Sequence, residues 1–190
     1  NLSNAANKMN KKDSFNQPPT ETFSIYDAGA LLVKPDVSTQ LKKAVVDLED
    51  AIRKDSLETG VAFNEKGELL FKRQGLPDRL DLTDDELKLL NNATFTHNHP
   101  MGMPFSIADI RMAISHNIKE IRAVTPLLRY SMSPKKQWAA KITLIATINE
   151  VKAQANIIVN EKIKLGEINP QFAEAEYLHY IWLMVADRLE

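Results

Sequence analysis

The chain contains no cysteine. Disulfides, CxxC redox chemistry and thiolate-bound zinc are therefore excluded, and a zinc site has to be assembled from His, Asp and Glu. Histidine itself is scarce, at four in 190 residues. Long apolar runs are missing: none approaches the roughly 18 residues needed to span a bilayer. No basic start leads into an apolar stretch, so no secretory signal is visible and a cytoplasmic location is expected. An excess of one charge is also absent. Lys and Arg number 24 against 25 Asp and Glu, for a net charge of −1, which argues against a domain-wide attraction to nucleic acid. Neither a nucleic-acid partner nor a membrane partner is expected. The chain opens on Asn and closes inside a helical pattern, as a piece of a longer protein would.

What is present is ordinary for a soluble globular protein: 44% hydrophobic and 26% charged residues, in a chain long enough for one domain with a core, or one domain and an appendage. Residues 1–22 are polar, rich in Asn, Lys, Ser and Pro, and read as a tail or linker. Residues 23–33 could hold one or two short strands. From Pro35-Asp36, the apolar residues Val37, Leu41, Ala44, Val45, Leu48 and Ile52 recur at helical spacing up to about Asp55. Gly60 to Asn64 and Glu68 to Arg73 read as two strands around an Asn64-Glu65-Lys66-Gly67 turn. Thr83 with Glu86 forms a capping box and opens a short helix.

Ala93 to Thr96 reads as a strand running into His97-Asn98-His99-Pro100. After a Met/Gly/Pro loop, Ser106 caps a helix bearing Ile107, Ile110 and Ile114. Glu120 to Thr125 and Leu127 to Met132 are the last strand candidates. Residues 136–165 and 171–190 are helical, separated by a break at Gly166 to Pro170. The order implies a mixed, curved sheet flanked by helices, an α/β domain over residues 23–132, with a C-terminal helical extension over 133–190 that packs onto it or contacts a partner.

The stretch that carries chemistry is 96–109, THNHPMGMPFSIAD. Residues two apart on a strand point to the same side, so His97 and His99 can converge on one ion. Asp109 lies in the first turn after the Ser106 cap, and its carboxylate points back toward the helix start. Two imidazoles and one carboxylate leave a fourth tetrahedral position for water, the layout of a catalytic rather than a structural zinc site. A carboxylate is the usual group to carry the water's proton to a leaving amine. Glu58, directly before the apolar strand, is better placed than Glu49, Asp50, Asp55 or Glu65. Gly60 would leave room beside it. Ser106 and Asp109 also read as a plain capping pair, which is compatible with a ligand role. His116 and His179 read as surface or packing residues, and Trp138 and Trp182 as core. The Met101/Met103 loop is equally an apolar lip facing a substrate or a loop folded inward.

An HNH nuclease is not indicated, because that motif spreads its residues over a ββα unit. A zinc deaminase needs cysteines the chain lacks.

The pattern H-x-H-P, a short loop, S-x-x-D and an upstream Glu opening a strand resembles the JAMM/MPN metalloproteases. The HNHP wording is also close to RadC-type proteins. It is closer still to JAMM-like domains found with phage head-morphogenesis proteins and in polymorphic toxins, which similarly show a Tyr-Ser pair (here Tyr130-Ser131) and C-terminal helices with a Trp like Trp182. The resemblance covers residues 37–132 well, 133–190 loosely and 1–35 not at all. It implies one zinc per chain on His97, His99 and Asp109, with Glu58 as catalytic acid/base and Ser106 helping to stabilise the tetrahedral intermediate. It implies hydrolysis of a peptide or isopeptide bond in a protein or peptide substrate, with virion-associated or toxin-delivered settings open. Six residues, Pro100 to Phe105, separate His99 from Ser106. That is one fewer than usual in the family, a departure expected to shift how Ser106 and Asp109 face the metal. The alternative is a non-catalytic JAMM-like interaction or structural module.

Overall fold

A computed structural model describes residues 34–189. The expected tail at 1–22 and the strands at 23–33 lie outside the described residues. Helix α1 spans Gln40–Ile52. Strands β1, Thr59–Phe63, and β2, Leu69–Gln74, form a hairpin. A short helix α2, Asp84–Leu89, precedes β3, Thr94–Asn98. Helix α3, Ile107–Ser115, leads to β4, Glu120–Val124, and β5, Arg129–Met132. Helices α4, Lys141–Lys164, and α5, Ala173–Leu189, close the described chain, joined by a 3-10 turn at Pro170–Phe172. Among the described residues no helix is long and apolar enough to cross a membrane.

The five strands form one mixed sheet in the order β2-β1-β3-β4-β5. Strand β3 is central. It runs antiparallel to β1, with Gly60 opposite His97, and parallel to β4, with His97 opposite Ala123. The parallel step is the one that needs a crossover, and α3 supplies it.

Element ends differ from the sequence reading where local side chains intervene. Helix α1 starts at the Thr39 cap, whose side chain accepts from the Lys42 backbone, rather than at Pro35-Asp36. The Asp36 carboxylate instead accepts from the Ser38 backbone N–H. Strand β3 continues through His97 and Asn98 because its backbone pairs with β1 as far as His97 and with β4 as far as Asn98. Strand β5 starts two residues later than expected: the Thr125 hydroxyl accepts from Leu127 and Leu128 N–H and folds that stretch into a turn.

Alternation along the strands gives the sheet two faces. On one, α1 packs Val45 over Val61 and Phe63. On the other, Ala62, Phe95, Ile121, Ala123 and Tyr130 share one cluster with residues of α3, α4 and α5, including Ile110, Ile148, Ile181 and Trp182. The C-terminal helices therefore pack onto the sheet, and residues on both sides of position 132 belong to a single core.

The α1 face also buries charge. Glu49 is fully buried and its carboxylate accepts from Arg122 Nε at 2.7 Å, Arg129 Nε at 2.9 Å and the Thr96 hydroxyl at 2.9 Å. Arg122 in turn reaches Glu120, which also accepts from Ser131. Removing one member of such a group leaves the others charged and dry. Glu49→Ala is expected to cost about 3–5 kcal/mol of folding stability, measured by urea denaturation, whereas exchanging the exposed Glu65 should cost under about 0.5 kcal/mol.

Candidate metal centre

The end of β3 brings the sequence-derived residues together. His97 and His99 lie on the same side of the strand, with ring centroids 4.5 Å apart and planes at 76°. Each approaches Asp109 through Nε2: His97 at 3.3 Å from Oδ1 and His99 at 3.5 Å from Oδ2. One ligand atom from each residue lies within 4.8 Å of the other two. These separations exceed good hydrogen bonds. They match a small tetrahedral ion, whose ligands, at ~2.1 Å from the centre, stand ~3.4 Å from one another.

Two of the three residues are held from behind by hydrogen bonds. His99 Nδ1 faces the Met103 carbonyl at 2.8 Å, so the ring donates there and Nε2 keeps its lone pair for the site. Asp109 is the third residue of α3 and forms a reciprocal cap with Ser106. The Ser106 N–H donates to Asp109 Oδ2 at 2.7 Å, and the Asp109 N–H donates to Ser106 Oγ at 3.1 Å. Capping and ligation are therefore served by the same pair. The Ser106 hydroxyl accepts in that cap and retains its own proton. His97 stacks on Phe95 at 5.5 Å, is almost wholly buried, and has no hydrogen-bond partner on either ring nitrogen. A buried imidazole in that condition is uncommon, and a metal ion would satisfy Nε2.

Glu58 stands just outside this ligand set, Oε1 lying 3.7 Å from His99 Nε2. Pairing of β1 with β3 puts it there, two residues before Gly60, which lies opposite His97. Gly60 does not leave the room beside Glu58 that its lack of a side chain suggested. A Cβ there would fall 2.2 Å from Leu80 Cδ2 and 2.8 Å from Phe95 Cζ, so the missing side chain admits core packing. Glu49 is spent on the opposite face, Asp50 pairs with Arg53 and Arg129, and Glu65 sits in the exposed hairpin turn.

Burial pushes the Glu58 carboxyl up to about 7, with the His97 charge opposing and the Asp109 and Asp78 carboxylates adding to it. Burial, with His97 close by, holds His99 down to about 4. For His97, burial favours the neutral ring, but the adjoining Asp109 carboxylate outweighs it and the pKa is raised. Asp109 is lowered: burial would raise it, and the two imidazoles prevail.

The loop from Pro100 to Phe105 is short, yet the Asp109 carboxylate still faces both imidazoles. Pro100 and Met101 form a turn closed by Gly102 N–H donating to the His99 carbonyl at 3.0 Å, and Gly102 takes φ +78°, which suits glycine. Met101 is exposed at 78% while Met103 is half-buried, so the two methionines divide between the two readings of this loop. Further along, Trp182 Nε1 donates to the Phe105 carbonyl at 2.7 Å from within α5.

His179 is buried beside the Tyr130 and Tyr180 rings, and His116 ends α3; both lie outside the cluster. Two residues of the site's surroundings escaped the sequence reading in this capacity. Trp182 reads only as core, and Asn98 reads only as the letter between two ligands. An asparagine inside a strand, where it is disfavoured, was the available signal.

No family model matches the chain, and searches of curated proteins and of solved structures found no match either. The reading of this site therefore stands on the geometry of the chain's own residues. That geometry is a possible metal-binding cluster of His97, His99 and Asp109.

Trp182→Phe keeps most of the apolar contact but leaves the Phe105 carbonyl without its donor. It should lower stability by about 1–3 kcal/mol, the cost of an unmet buried polar group, read from thermal or denaturant unfolding.

Proposed function

We propose that this chain is a zinc-dependent hydrolase that cleaves a peptide or isopeptide bond in a protein substrate, in the manner of the JAMM-type metalloproteases it resembles. The observation that supports it most is the convergence of His97, His99 and Asp109 on one point, with the Glu58 carboxyl immediately outside the ligand set. The donor set, two imidazoles and a carboxylate, suits zinc and leaves a position open. Bound there, zinc supplies Lewis acidity to the scissile carbonyl and acidifies water.

The chain's own residues do the rest. Glu58 takes a proton from the attacking water as the new C–O bond forms. It returns that proton to the amine nitrogen as the C–N bond breaks. A carboxyl raised toward neutrality by burial is suited to both steps, since it is neither too weak a base nor too weak an acid at pH 7. The Ser106 O–H, free to donate, helps to stabilise the charge that develops on the carbonyl oxygen. Burial of Glu58, His97 and His99 strengthens the interactions they make by keeping bulk water out.

Elemental analysis of the purified protein tests the reading. About one zinc per chain is expected, lost in His97→Ala/His99→Ala. Iron in place of zinc would point to oxygen chemistry on the same ligand set, and no metal even after zinc is supplied would leave a non-catalytic interaction module. Glu58→Gln should keep the zinc and lower turnover of a cleaved peptide or lysine-isopeptide substrate by about 10²–10⁴-fold; full activity in that variant would remove Glu58 from its role.

Zinc affinity should also depend on pH in a definite direction. The raised pKa of His97 means that zinc has to displace a proton from that ring. Affinity should therefore rise with pH through the titration of His97 and fall as the solution is acidified. Zinc titrations by calorimetry in buffers of different ionisation enthalpy would read the released proton directly.

A further inference from the structure

Between the two histidines sits a residue whose side chain serves the segment that carries Glu58. Asn98 is fully buried. Its Oδ1 accepts from the Thr59 N–H at 2.6 Å. Its Nδ2 donates to the Leu57 carbonyl at 3.0 Å and to the Asp55 carbonyl at 3.2 Å. Three hydrogen bonds thus run from one amide to residues 55, 57 and 59, on both sides of Glu58.

On the β3 side that segment has no strand pairing to hold it. It leaves α1 after Ile52 and enters β1 only at Thr59. The backbone pairing of β1 with β3 reaches no further than Gly60 opposite His97. The Asn98 side chain continues the attachment past that point. On the far side, the Glu58 backbone is tied to the chain leaving β2: its N–H donates to the Leu76 carbonyl at 2.9 Å and its carbonyl accepts from the Gly75 N–H at 2.8 Å. Residues 57 and 59 face Asn98 while residue 58 faces Gly75 and Leu76. The backbone is held on both edges, and the Glu58 carboxyl is left projecting toward His99.

The residue type follows from the task. The segment offers one donor and two acceptors. An amide supplies one acceptor and two hydrogens, all of which are used. A carboxylate of the same shape would keep the bond to Thr59 and set negative charge against two carbonyls in a dry site.

We propose that Asn98 is a positioning residue for Glu58: its side-chain amide locks residues 55–59 onto the metal-binding strand so that the Glu58 carboxyl is fixed beside His99. The inference rests on the reading of Glu58 as the proton carrier. It assigns the middle residue of His97-Asn98-His99 to general acid/base geometry and the outer two to the metal.

The test combines amide hydrogen exchange, zinc content and kinetics on the full chain. In the wild type, the Thr59 amide should be protected to the level of neighbouring β1 and β3 amides. Exchange at the rate of an open loop would overturn the proposal before any variant is made. In Asn98→Ala, which removes all three bonds, the amides of Glu58 and Thr59 should exchange about 10-fold faster or more, as expected when bonds that close a local segment are lost. Amides of β4 should be unchanged and zinc content should stay near one per chain. On a substrate cleaved by the wild type, kcat should fall at least about 10-fold, the scale of loss when a proton-transfer group is misplaced, with KM little altered. Unchanged exchange at Glu58 and Thr59, or a loosened segment with undiminished kcat, would overturn the proposal. A parallel rise across the whole sheet would also overturn it, by making Asn98 merely a stabilising residue. The exchange readout needs neither zinc nor substrate, so it decides the clamp even where the zinc reading has failed.

Discussion

Strand β3 has a neighbour on each side, and its two-residue alternation decides what each of its side chains can do. Phe95 and His97 face the larger core, and His99 continues that side past the end of the strand. Thr96 and Asn98 face the other way, to Glu49 and to the exit of α1. A slip of one residue in either pairing would exchange the ligands for the clamp and put imidazoles among the arginines. The register is set from both edges, by Gly60 opposite His97 and by His97 opposite Ala123. At Gly60 the residue has to be small, because Leu80 and Phe95 fill the space a side chain would need.

The two faces bury charge in contrasting ways. Under α1, the Glu49 oxygens are met by Arg122, Arg129 and Thr96. That cluster is complete: its charges oppose one another at hydrogen-bond distance, and nothing further is needed to offset their loss of water. The other face holds two carboxyl groups and two imidazoles at separations beyond 3.2 Å, with both His97 ring nitrogens unpartnered. Proximity without bonding is costly in a buried site unless something occupies the centre. The difference between a finished ionic cluster and an unfinished one supports a metal on this face and not on the other, though both are rich in acidic residues.

Much of the architecture was legible because it depends on local signals. Apolar spacing gave α1, α4 and α5, and the Thr83/Glu86 and Ser106/Asp109 boxes gave the starts of α2 and α3. That His97, His99 and Asp109 come together was legible for the same reason, since alternation on a strand and a capping turn are short-range geometry. Glu58 required one long-range assumption, that β1 lies beside β3, and the sheet order has that arrangement. What stayed hidden was long-range by nature. The Glu49 cluster joins residues 49, 96, 122 and 129, and neither charge nor spacing marks them as partners. Gly60 was expected to leave room beside Glu58, but Leu80 fills that space from a segment with no periodic pattern. Strand ends shifted where a single hydroxyl, that of Thr125, redirected the backbone.

The connection between the C-terminal helices and the metal face follows from the shortness of the His99-to-Ser106 loop. A short loop has few conformations, and this one is fastened at three places. Gly102 N–H closes a turn on the His99 carbonyl, the Met103 carbonyl receives His99 Nδ1, and the Phe105 carbonyl receives Trp182 Nε1. The first two attachments are internal and fix the loop's shape relative to His99. Only the third ties it to a distant element, and it lies one residue before the Ser106 cap that orients Asp109. Trp182 is fully buried and shares its cluster with Phe95, Ile121 and Tyr130, so α5 cannot shift without disturbing the sheet that presents His97. The helices that look like an appendage in sequence thus brace the end of the loop that the strand does not reach. The possible metal-binding cluster is held by β3 on one side and, through Phe105, by α5 on the other.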